Sequence, residues 1–378
     1  MTDYDFAVIG AGIAGASVAY ELQAHGPVIL LEREPLPGHH TTGRSAAVLV
    51  QNYGNAVVRR LTQASRGFFE RPPDGFAPHP LVFDRPVLFI GRADQRERLE
   101  EERKAGEDLG VELRLLDAAE VRSLCPVLRE EYVAGGLLEP GARGIDVAGT
   151  LDGFLRGLRE RGGAVRTRAD VVRVEPSDGA WEVEAGGEVH RAAAVVNAAG
   201  AWCDEVGRLA GARSIGLQPL RRTAITFDGP PEHDFRAWPA VIDVDETFYF
   251  EPEGAQLLAS PADETPSEPC DSVAEDYDVA VAVDRVQRAT TLEIRYVRQR
   301  WAGLRSFVAD RAPVIGADPD RDGFFWLAGQ GGFGIMTSPA AARSAASLIV
   351  RGSLPEDLEE LGLTREQLSP ARSSLARS

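Results

Sequence analysis

Three glycines near the beginning of the chain have the spacing that dinucleotide binding requires. Gly10, Gly12 and Gly15 follow a short apolar run, and apolar residues at helical spacing continue directly after them. Gly10 permits a tight turn, Gly12 lets a pyrophosphate approach the backbone, and Gly15 lets the helix pack against the strand. The N-terminus of that helix offers free N–H groups and a positive dipole end to the phosphates. Because Glu32 ends the next apolar run and can accept hydrogen bonds from a ribose diol, the pattern predicts a dinucleotide site.

A second glycine-rich segment, Gly329–Gly334, stands near the C-terminal end and follows the apolar run Phe324–Ala328. Taken alone, it could be a plain glycine-rich turn. The loop–helix interpretation is stronger, because a helix N-terminus stabilises the negative charge that develops on the pyrimidine end of a reduced flavin.

The remaining reactive residue types show no metal or nucleophile pattern. Cys125, Cys203 and Cys270 lie far apart and match neither a disulfide framework nor metal-ligand spacing, and the six histidines form no metal motif. We therefore expect no metal ion and a reducing, cytoplasmic location. No nucleophile–base pair is visible either.

Composition and charge narrow the possible partners. The 378 residues carry a net charge of −17, which nucleic acid and anionic membranes would repel. No run approaches the roughly 20 apolar residues of a membrane span. The N-terminal residues lead into a strand pattern without a charged leader. We expect a protein with no membrane span and no nucleic-acid partner.

The elements that position these residues change in character along the chain. A charged stretch predicts a solvated helix over 95–109, and apolar spacing predicts a helix with a buried side over 147–161. Strand patterns follow at 164–174, 181–183 and 192–197. Beyond Pro219, strands separated by polar loops predict an antiparallel sheet, at 221–226, 247–251, 256–260 and 292–297. Residues 261–284 have the composition of an acidic, proline-containing insertion.

This order predicts an α/β fold with a second domain of α+β type. We expect a Rossmann-like cofactor domain that is discontinuous in sequence, with an antiparallel-sheet substrate domain inserted in two pieces. The expected boundaries are 1–80, 140–218 and 306–365 for the cofactor domain, and 81–139 and 219–305 for the substrate domain. Residues 366–378 are expected to form a tail of low hydrophobicity.

Six segments, taken together, resemble one enzyme family. They read IGAGIAGAS, HTTGRSAA, NAAGAWCD, LQPLRR, TFYFEP and WAGLRSFVAD. The chain resembles the D-amino acid oxidase/glycine oxidase/sarcosine oxidase family over nearly its whole length, and within it most closely the bacterial D-arginine dehydrogenases.

The resemblance implies a noncovalent FAD in the Rossmann-like domain and a smaller sheet domain that covers the flavin. No cysteine or histidine stands in a recognised attachment context, which agrees with noncovalent binding. The cofactor contacts that the resemblance implies are Gly10, Gly12, Ala14, Gly15, Glu32, Arg33, Thr42, Arg44, Ser45, Ala46, Ala47, Val172, Ala199, Gly200, Trp202, Gly303, Gly331, Gly332, Phe333, Gly334 and Ile335.

The family also implies a substrate site above the flavin. Arg222, Arg305, Tyr53 and Tyr249 match positions that hold the substrate carboxylate, and the Gly332 carbonyl matches the position that receives the amine. A neutral amine can lose hydride from Cα to flavin N5, so positioning matters more than an acid–base residue. The imino acid would hydrolyse to a 2-oxo acid and ammonia, and the electrons would pass to a quinone, another carrier or oxygen.

Four positions of the side-chain pocket depart from the D-arginine dehydrogenase pattern. Val48, Val50, Val87 and Met336 replace a histidine, a threonine, a glutamate and a glutamine. A guanidinium would be unpaired in such a pocket. We therefore expect D-amino acids with apolar side chains to be preferred over D-arginine, unless another acid such as Asp84 takes over the recognition.

Two other functions remain open at this point. The chain could oxidise a secondary amine such as sarcosine, or a 2-hydroxy acid, with the same carboxylate arginines. It could also be a non-catalytic flavin-bound subunit of a complex. The presence of both arginines argues against that last role, because a structural flavoprotein needs no carboxylate clamp.

Overall fold

The computed structural model describes residues 3–375. Its strands are β1 (Asp3–Ile9), β2 (Val28–Leu31), β3 (Val48–Leu49), β4 (Val82–Asp84), β5 (Val87–Gly91), β6 (Arg114–Asp117), β7 (Gly135–Glu139), β8 (Arg143–Ile145), β9 (Ala164–Arg166), β10 (Val171–Ser177), β11 (Ala180–Ala185), β12 (Glu188–Asn197), β13 (Gln218–Asp228), β14 (Ala240–Asp243), β15 (Tyr249–Glu253), β16 (Gln256–Ser260), β17 (Thr265–Pro266), β18 (Val297–Phe307), β19 (Val314–Ala317) and β20 (Phe324–Ala328). Its α-helices are α1 (Ile13–Leu22), α2 (Ala56–Glu70), α3 (Arg96–Glu107), α4 (Ala118–Leu124), α5 (Val147–Glu160), α6 (Cys203–Leu209), α7 (Asp276–Ala289), α8 (Gly334–Arg351), α9 (Glu356–Glu360) and α10 (Arg365–Leu368).

The N-terminal glycine motif lies on a sheet with a parallel centre. β1 lies between β2 and β12 and runs parallel to both, and β9 and β20 extend the parallel part. β10, β11 and β19 are added antiparallel. Helices α1, α5 and α8 cover one face, where Val18, Phe154 and Ala345 belong to one core. Because both faces of such a sheet are covered, its strands are apolar runs, as β1 and β2 are. The Rossmann-like fold is confirmed.

The second sheet has the strand order β17-β13-β16-β15-β14-β5-β7-β6, with β18 along the free side of β13. Its pairs are antiparallel except β14 with β5. The expectation of an antiparallel sheet therefore needs one correction. β5 and β14 come from separate segments of the chain, so no hairpin dictates their direction.

Two elements of this sheet domain differ from the sequence-based expectation. The strand expected at 292–297 begins only at Val297 and continues to Phe307, so that Trp301–Arg305 lie within it. The segment expected as an acidic insertion contains α7, whose Ala282 and Val286 pack into the core. Acidic residues on the exposed side of α7 concealed this helical spacing.

The C-terminal residues, which were expected to form a tail, also differ from the sequence-based expectation. Leu368 is fully buried, and Arg372 forms an ion pair with Asp310 at 2.6 Å. Thr364 caps α10, because its side chain accepts from the Gln367 N–H. Residues 366–375 therefore pack against the rest of the chain, while 376–378 lie outside the described residues. The apolar residues are few here, and their burial follows from contacts with distant parts of the chain.

The predicted helices over 95–109 and 147–161 are confirmed as α3 and α5. The division into domains at residues 80, 140, 218 and 306 stays a prediction. Among residues 3–375, the helices are too short or too polar to span a membrane.

Candidate active site

Residues of both sheets line a large cavity, which holds about 2380 Å³ of empty space when the solvent at its openings is included. The loops after β1, β2 and β12 contribute Gly10, Arg33 and Ala199. The second sheet contributes Arg222 and Tyr249. Ligands of open α/β sheets bind at the carboxyl ends of the strands, and the cavity begins at that edge.

The glycine motif forms one wall of the cavity. Gly10 has φ +98°, and a Cβ there would lie 2.5 Å from the Ala198 carbonyl oxygen. A Cβ at Gly12 would come within 3.2 Å of the Thr42 hydroxyl oxygen, which accepts from the Ile13 N–H at 3.0 Å. Both glycines line the cavity beside the start of α1. The backbone is therefore open to a ligand where a pyrophosphate was expected.

Glu32 and Arg33 lie in the wall at the end of β2. The buried Glu32 carboxylate accepts from the Ala11 N–H at 2.8 Å and from the Glu34 N–H at 2.9 Å. These bonds hold the glycine loop and leave lone pairs for a diol. The Arg33 guanidinium lies 4.7 Å from the centre of the Trp202 ring, and both residues line the cavity.

The loop from Thr41 to Ser45 is tied to β18 across the cavity. The Thr41 hydroxyl donates to the Leu304 carbonyl at 2.7 Å, and Arg44 donates to the Ala302 carbonyl at 2.9 Å. Most residues expected at the cofactor line this cavity, namely Gly10, Gly12, Ala14, Glu32, Arg33, Thr42, Arg44, Ser45, Ala46, Ala47, Ala199, Gly200, Trp202, Gly303, Gly331, Gly332, Gly334 and Ile335.

Three residues expected at the cofactor lie outside the cavity lining. A Cβ at Gly15 would lie 1.7 Å from the Gly10 carbonyl oxygen, so Gly15 serves the contact between α1 and β1. Val172 is 57% exposed, while its neighbour Val171 lines the cavity. Phe333 is buried with its ring centre 5.3 Å from that of Tyr53. Gly15 and Phe333 therefore support the wall rather than form it.

The second glycine segment is a loop followed by a helix, as the sequence indicates. Gly331 has φ +54°, and a Cβ there would lie 2.0 Å from the Phe307 ring. At Gly332, a Cβ would lie 2.8 Å from Nη1 of Arg305. The 18-residue helix α8 begins at Gly334 in the cavity wall. Only glycine lets the loop approach both Phe307 and Arg305 so closely.

Arg305 brings an unpaired positive charge into the cavity. Within residues 3–375, no side chain forms a hydrogen bond or ion pair with its half-buried guanidinium. Burial opposes the charge, but the nearby Tyr249, Tyr53, Glu246 and Glu264 outweigh it and raise the pKa of Arg305. A half-buried guanidinium without a partner is suited to bind an anionic ligand.

Arg222 lies in the same cavity but is held by the protein. Its Nε donates to the Asp263 carbonyl at 2.7 Å, and its Nη2 lies 3.2 Å from the Glu264 carboxylate. Glu264 also pairs with Arg311 at 2.6 Å, so its charge is shared. Burial and the positive charge of Arg305 lower the pKa of Arg222. Because the positive charge of Arg305 disfavours the charged form of Arg222, the two guanidinium groups together favour an anion bound between them.

The two predicted tyrosines also line the cavity. The Tyr53 hydroxyl donates to the Glu246 carboxylate at 2.8 Å. Burial and then Glu246 raise the pKa of Tyr53, which keeps this hydroxyl protonated as a donor. Tyr249 begins β15 opposite Ile242. The structure therefore brings Arg222, Arg305, Tyr53, Tyr249 and Gly332 to one place.

The side-chain pocket differs in part from the sequence-based expectation. Val48, Val50 and Met336 line the cavity, whereas Val87 is fully buried and is not part of the lining. Ala240, which pairs with Val87 on the adjacent strand, lines the cavity in its place. The Asp84 side chain is 93% exposed and lies 3.6 Å from Arg143, outside the cavity. Asp84 therefore cannot take over recognition of the substrate side chain.

Glu251 is a cavity residue that the sequence analysis missed. It lies on β15 within the TFYFEP segment, and its side chain is only 7% exposed. Burial raises the pKa of Glu251 to about 7, against the opposing effect of Arg85. Its alternation with Tyr249 on one strand was the signal that could have identified it.

One group of possible metal ligands adjoins the cavity. Ligand atoms of His39, His40 and Asp271 lie within 4.8 Å of one another. Asp271 also forms an ion pair with Arg44, and the His40 ring lies 3.0 Å from Glu34. These partners already engage the carboxylate and one histidine. The sequence did not indicate this group, because Asp271 lies far along the chain.

Comparisons with known proteins agree with this geometry. The chain is 28% identical to human mitochondrial sarcosine dehydrogenase over 95% of its own length, and it spans 41% of that relative. It is 21% identical to glycine oxidase of Geobacillus kaustophilus, covering 96% of this chain and 97% of that one. The crystal structure of glycine oxidase from that organism matches with a TM-score of 0.84 over 97% of this chain and 99% of that chain.

The cavity residues fit FAD. A Cβ at Gly12 would occupy space at the glycine loop that forms one wall of the cavity, and the Glu32 carboxylate lies beside this loop. A second loop and helix N-terminus stand near Arg305. The family model described as DAO, FAD dependent oxidoreductase, matches residues 5–348. This chain therefore belongs to the DAO family of FAD dependent oxidoreductases, with FAD as its cofactor.

Proposed function

We propose that the protein oxidises D-amino acids at the bond between Cα and the amine, as an FAD-dependent dehydrogenase or oxidase. The product is an imino acid, which water converts to a 2-oxo acid and ammonia. FAD supplies the two-electron acceptor for this oxidation. The electrons then pass to a quinone, another carrier or oxygen. The resemblance to D-arginine dehydrogenases supports the D configuration.

The unpaired guanidinium of Arg305 is the observation that carries this proposal. It lies against Gly332 in the same cavity as the glycine wall for the dinucleotide. The nearby Tyr249, Tyr53, Glu246 and Glu264 keep the guanidinium charged, and an anionic ligand would give it the direct partner that it lacks within residues 3–375. A carboxylate matches the planar fork of arginine with two parallel hydrogen bonds.

The neighbouring groups can orient a bound amino acid. Arg222 lies beside Arg305 and adds positive charge for the carboxylate. The Tyr249 hydroxyl provides a neutral donor in the same cavity, while the Tyr53 hydroxyl donates to Glu246 and keeps its lone pairs for a ligand. The Gly332 carbonyl is an acceptor for the amine. Together these contacts fix Cα in one orientation, which lowers the barrier by positioning.

A panel of amino acids tests this function. We expect D-amino acids to reduce the bound flavin under anaerobic conditions, while the matching L-enantiomers do not. The absorbance of oxidised flavin is followed in a stopped-flow instrument. Bleaching by the L-enantiomers at the same rate would contradict the assigned configuration. Reoxidation with oxygen and with an artificial quinone then distinguishes an oxidase from a dehydrogenase.

A secondary amine such as sarcosine is the second candidate substrate. The similarity to human sarcosine dehydrogenase over 95% of this chain favours it. A secondary amino acid has the same carboxylate and would use Arg222 and Arg305 in the same way. Faster bleaching by sarcosine than by any D-amino acid would favour this alternative.

A further inference from the structure

The Glu251 carboxylate lies in the cavity without a protein partner. Its side chain is 7% exposed, and no residue within 3–375 donates a hydrogen bond to it or forms an ion pair with it. The cavity lining includes Glu251 together with Arg222 and Arg305. Buried carboxylates are normally paired, so an unpaired one that faces a ligand cavity is suited to accept a cationic partner from the ligand.

The strand register places Glu251 at the far end of the substrate site. Tyr249 and Glu251 are separated by one residue on β15, so both side chains point to the same face. The distance along the strand is about 7 Å, at about 3.4 Å per residue. Arg222 lies on the opposite side of Tyr249 along the strands, because the pairs Tyr249–Ser260 and Ala259–Ile225 place Tyr249 in the row of Ala224, between the rows of Arg222 and Glu251. A substrate held at Arg222 would extend its side chain past Tyr249 toward Glu251.

The walls between these two ends are apolar. Ala240 and Ile242 on β14, the strand next to β15, line the cavity here. Ala240 is next to Glu251 in the register of β14 and β15, since Val241 pairs with Phe250. A substrate side chain would therefore pass apolar groups before it reached the carboxylate.

Glu139 is a second buried acid in the same row of the sheet, and it has a structural role. Glu139 pairs with Val87, which pairs with Ala240. The Glu139 carboxylate accepts from the Gln51 N–H at 2.8 Å and from the Asn52 N–H at 3.1 Å. Glu139 thereby holds the loop that carries Tyr53. Glu251 has no such bonds, so the backbone provides no reason for its burial.

We propose that Glu251 binds a positively charged group at the end of the substrate's side chain. This inference rests on the proposed function and deepens it. The preferred substrates then have an apolar stem of several carbons that ends in a protonated amine. This inference departs from the expectation drawn from the four apolar positions, which was a preference for wholly apolar side chains over that of D-arginine. Where the D-arginine dehydrogenase pattern has a glutamate at the position of Val87, this chain carries Glu251 two strands away in the same row.

Two carboxylates that cannot be oxidised test this inference apart from catalysis. Caproate and ε-aminocaproate have equal carbon chains, and only the second ends in an ammonium group. Their binding to the FAD-loaded protein is measured by isothermal titration calorimetry. We expect ε-aminocaproate to bind about ten- to a hundredfold more tightly, the typical effect of a hydrogen bond to a charged group.

Two variants assign this preference to one carboxylate. Glu251→Gln keeps the shape of the side chain, and the ratio of the two affinities should fall close to one. Glu251→Asp keeps the charge and should retain part of the preference. Glu253→Gln is the matched control, since Glu253 is exposed on the same strand and the ratio should stay as in the unmodified protein.

The outcomes separate this inference from the proposed function. An unchanged ratio in Glu251→Gln overturns the role of Glu251 while leaving the carboxylate site intact. Equal binding of both ligands to the unmodified protein does the same. Failure of both ligands to bind overturns the carboxylate site at Arg305, and the inference with it. Flavin absorbance of each variant confirms that the site is loaded.

Discussion

Arg222 and Arg305 differ in what balances their charge within the protein. Arg222 is held by Asp263 and Glu264, whereas Arg305 has no such partner in the part of the chain that the structure describes. Removing Arg305 would therefore remove the proposed substrate contact without breaking a side-chain hydrogen bond or ion pair among residues 3–375. Removing Arg222 also leaves the Glu264 carboxylate to Arg311 alone.

We expect Arg305→Ala to lower kcat/KM for the best amino acid by about 10- to 100-fold, because a charge-assisted contact contributes about 1.5–3 kcal/mol. FAD should stay bound. Arg221→Ala is the matched control, since Arg221 lies on the neighbouring strand β13 outside the cavity lining and pairs with Asp278 at 2.9 Å. Steady-state kinetics measure kcat/KM of both variants and of the unmodified protein. Equal losses in both variants would show that Arg305 acts on stability and not on the substrate.

The titration of Glu251 predicts a pH dependence for ligand binding. Burial raises the pKa of Glu251 to about 7, with Arg85 lowering it and Glu253 raising it further. A carboxyl is charged above its pKa, while the ligand's amine stays protonated to about pH 10. The affinity for ε-aminocaproate should therefore rise as the pH rises through about 7, and the affinity for caproate should not. Calorimetry at several pH values measures both, and parallel curves would contradict the assignment.

At the scale of elements, two glycines of the first loop have separable roles. Gly12 has ordinary backbone angles, and a Cβ there meets only the Thr42 hydroxyl at 3.2 Å. Gly15 has no such space, because a Cβ would lie 1.7 Å from the Gly10 carbonyl oxygen. Gly12 therefore keeps space for a ligand, and Gly15 lets helix α1 pack closely against strand β1.

We therefore expect Gly12→Val to give a folded protein without FAD, because the added methyl groups occupy the approach to the backbone. Gly15→Ala should disturb the fold itself. Gly67→Ala on α2 is the control, since no atom lies within 4 Å of the added Cβ, and it should keep FAD and gain slightly in stability. Flavin absorbance and circular dichroism distinguish the three. A yellow Gly12→Val protein would place the pyrophosphate elsewhere.

At the scale of the whole molecule, the cavity is bounded by both sheets, so FAD binding should stabilise them together. We expect the Tm of the FAD-free protein to lie below that of the loaded protein and to rise with added FAD. Intact FAD should appear in the supernatant after denaturation, because the binding is predicted to be noncovalent. Differential scanning calorimetry and absorbance of the supernatant measure these effects. Colour that stays with the precipitate would contradict noncovalent binding.

Features that depend on neighbouring residues could be predicted from the amino-acid sequence. The Gly10–Gly15 loop, α1 and Glu32 could be predicted because a turn, a helix and the following strand depend on neighbouring residues. The second loop before α8 follows the same reasoning. Arg222, Arg305, Tyr53 and Tyr249 were identified through resemblance, since their spacing in the chain carries no local signal.

Which charged side chains have partners depends on contacts that form only in the folded chain. Val87 and Glu251 are far apart in sequence, yet strand register places them in one row, with Val87 outside the cavity lining and Glu251 within it. The tail at 366–375 likewise owes its position to Asp310 and a distant core. Burial and pairing depend on contacts between distant strands, and no periodicity along the chain encodes those contacts.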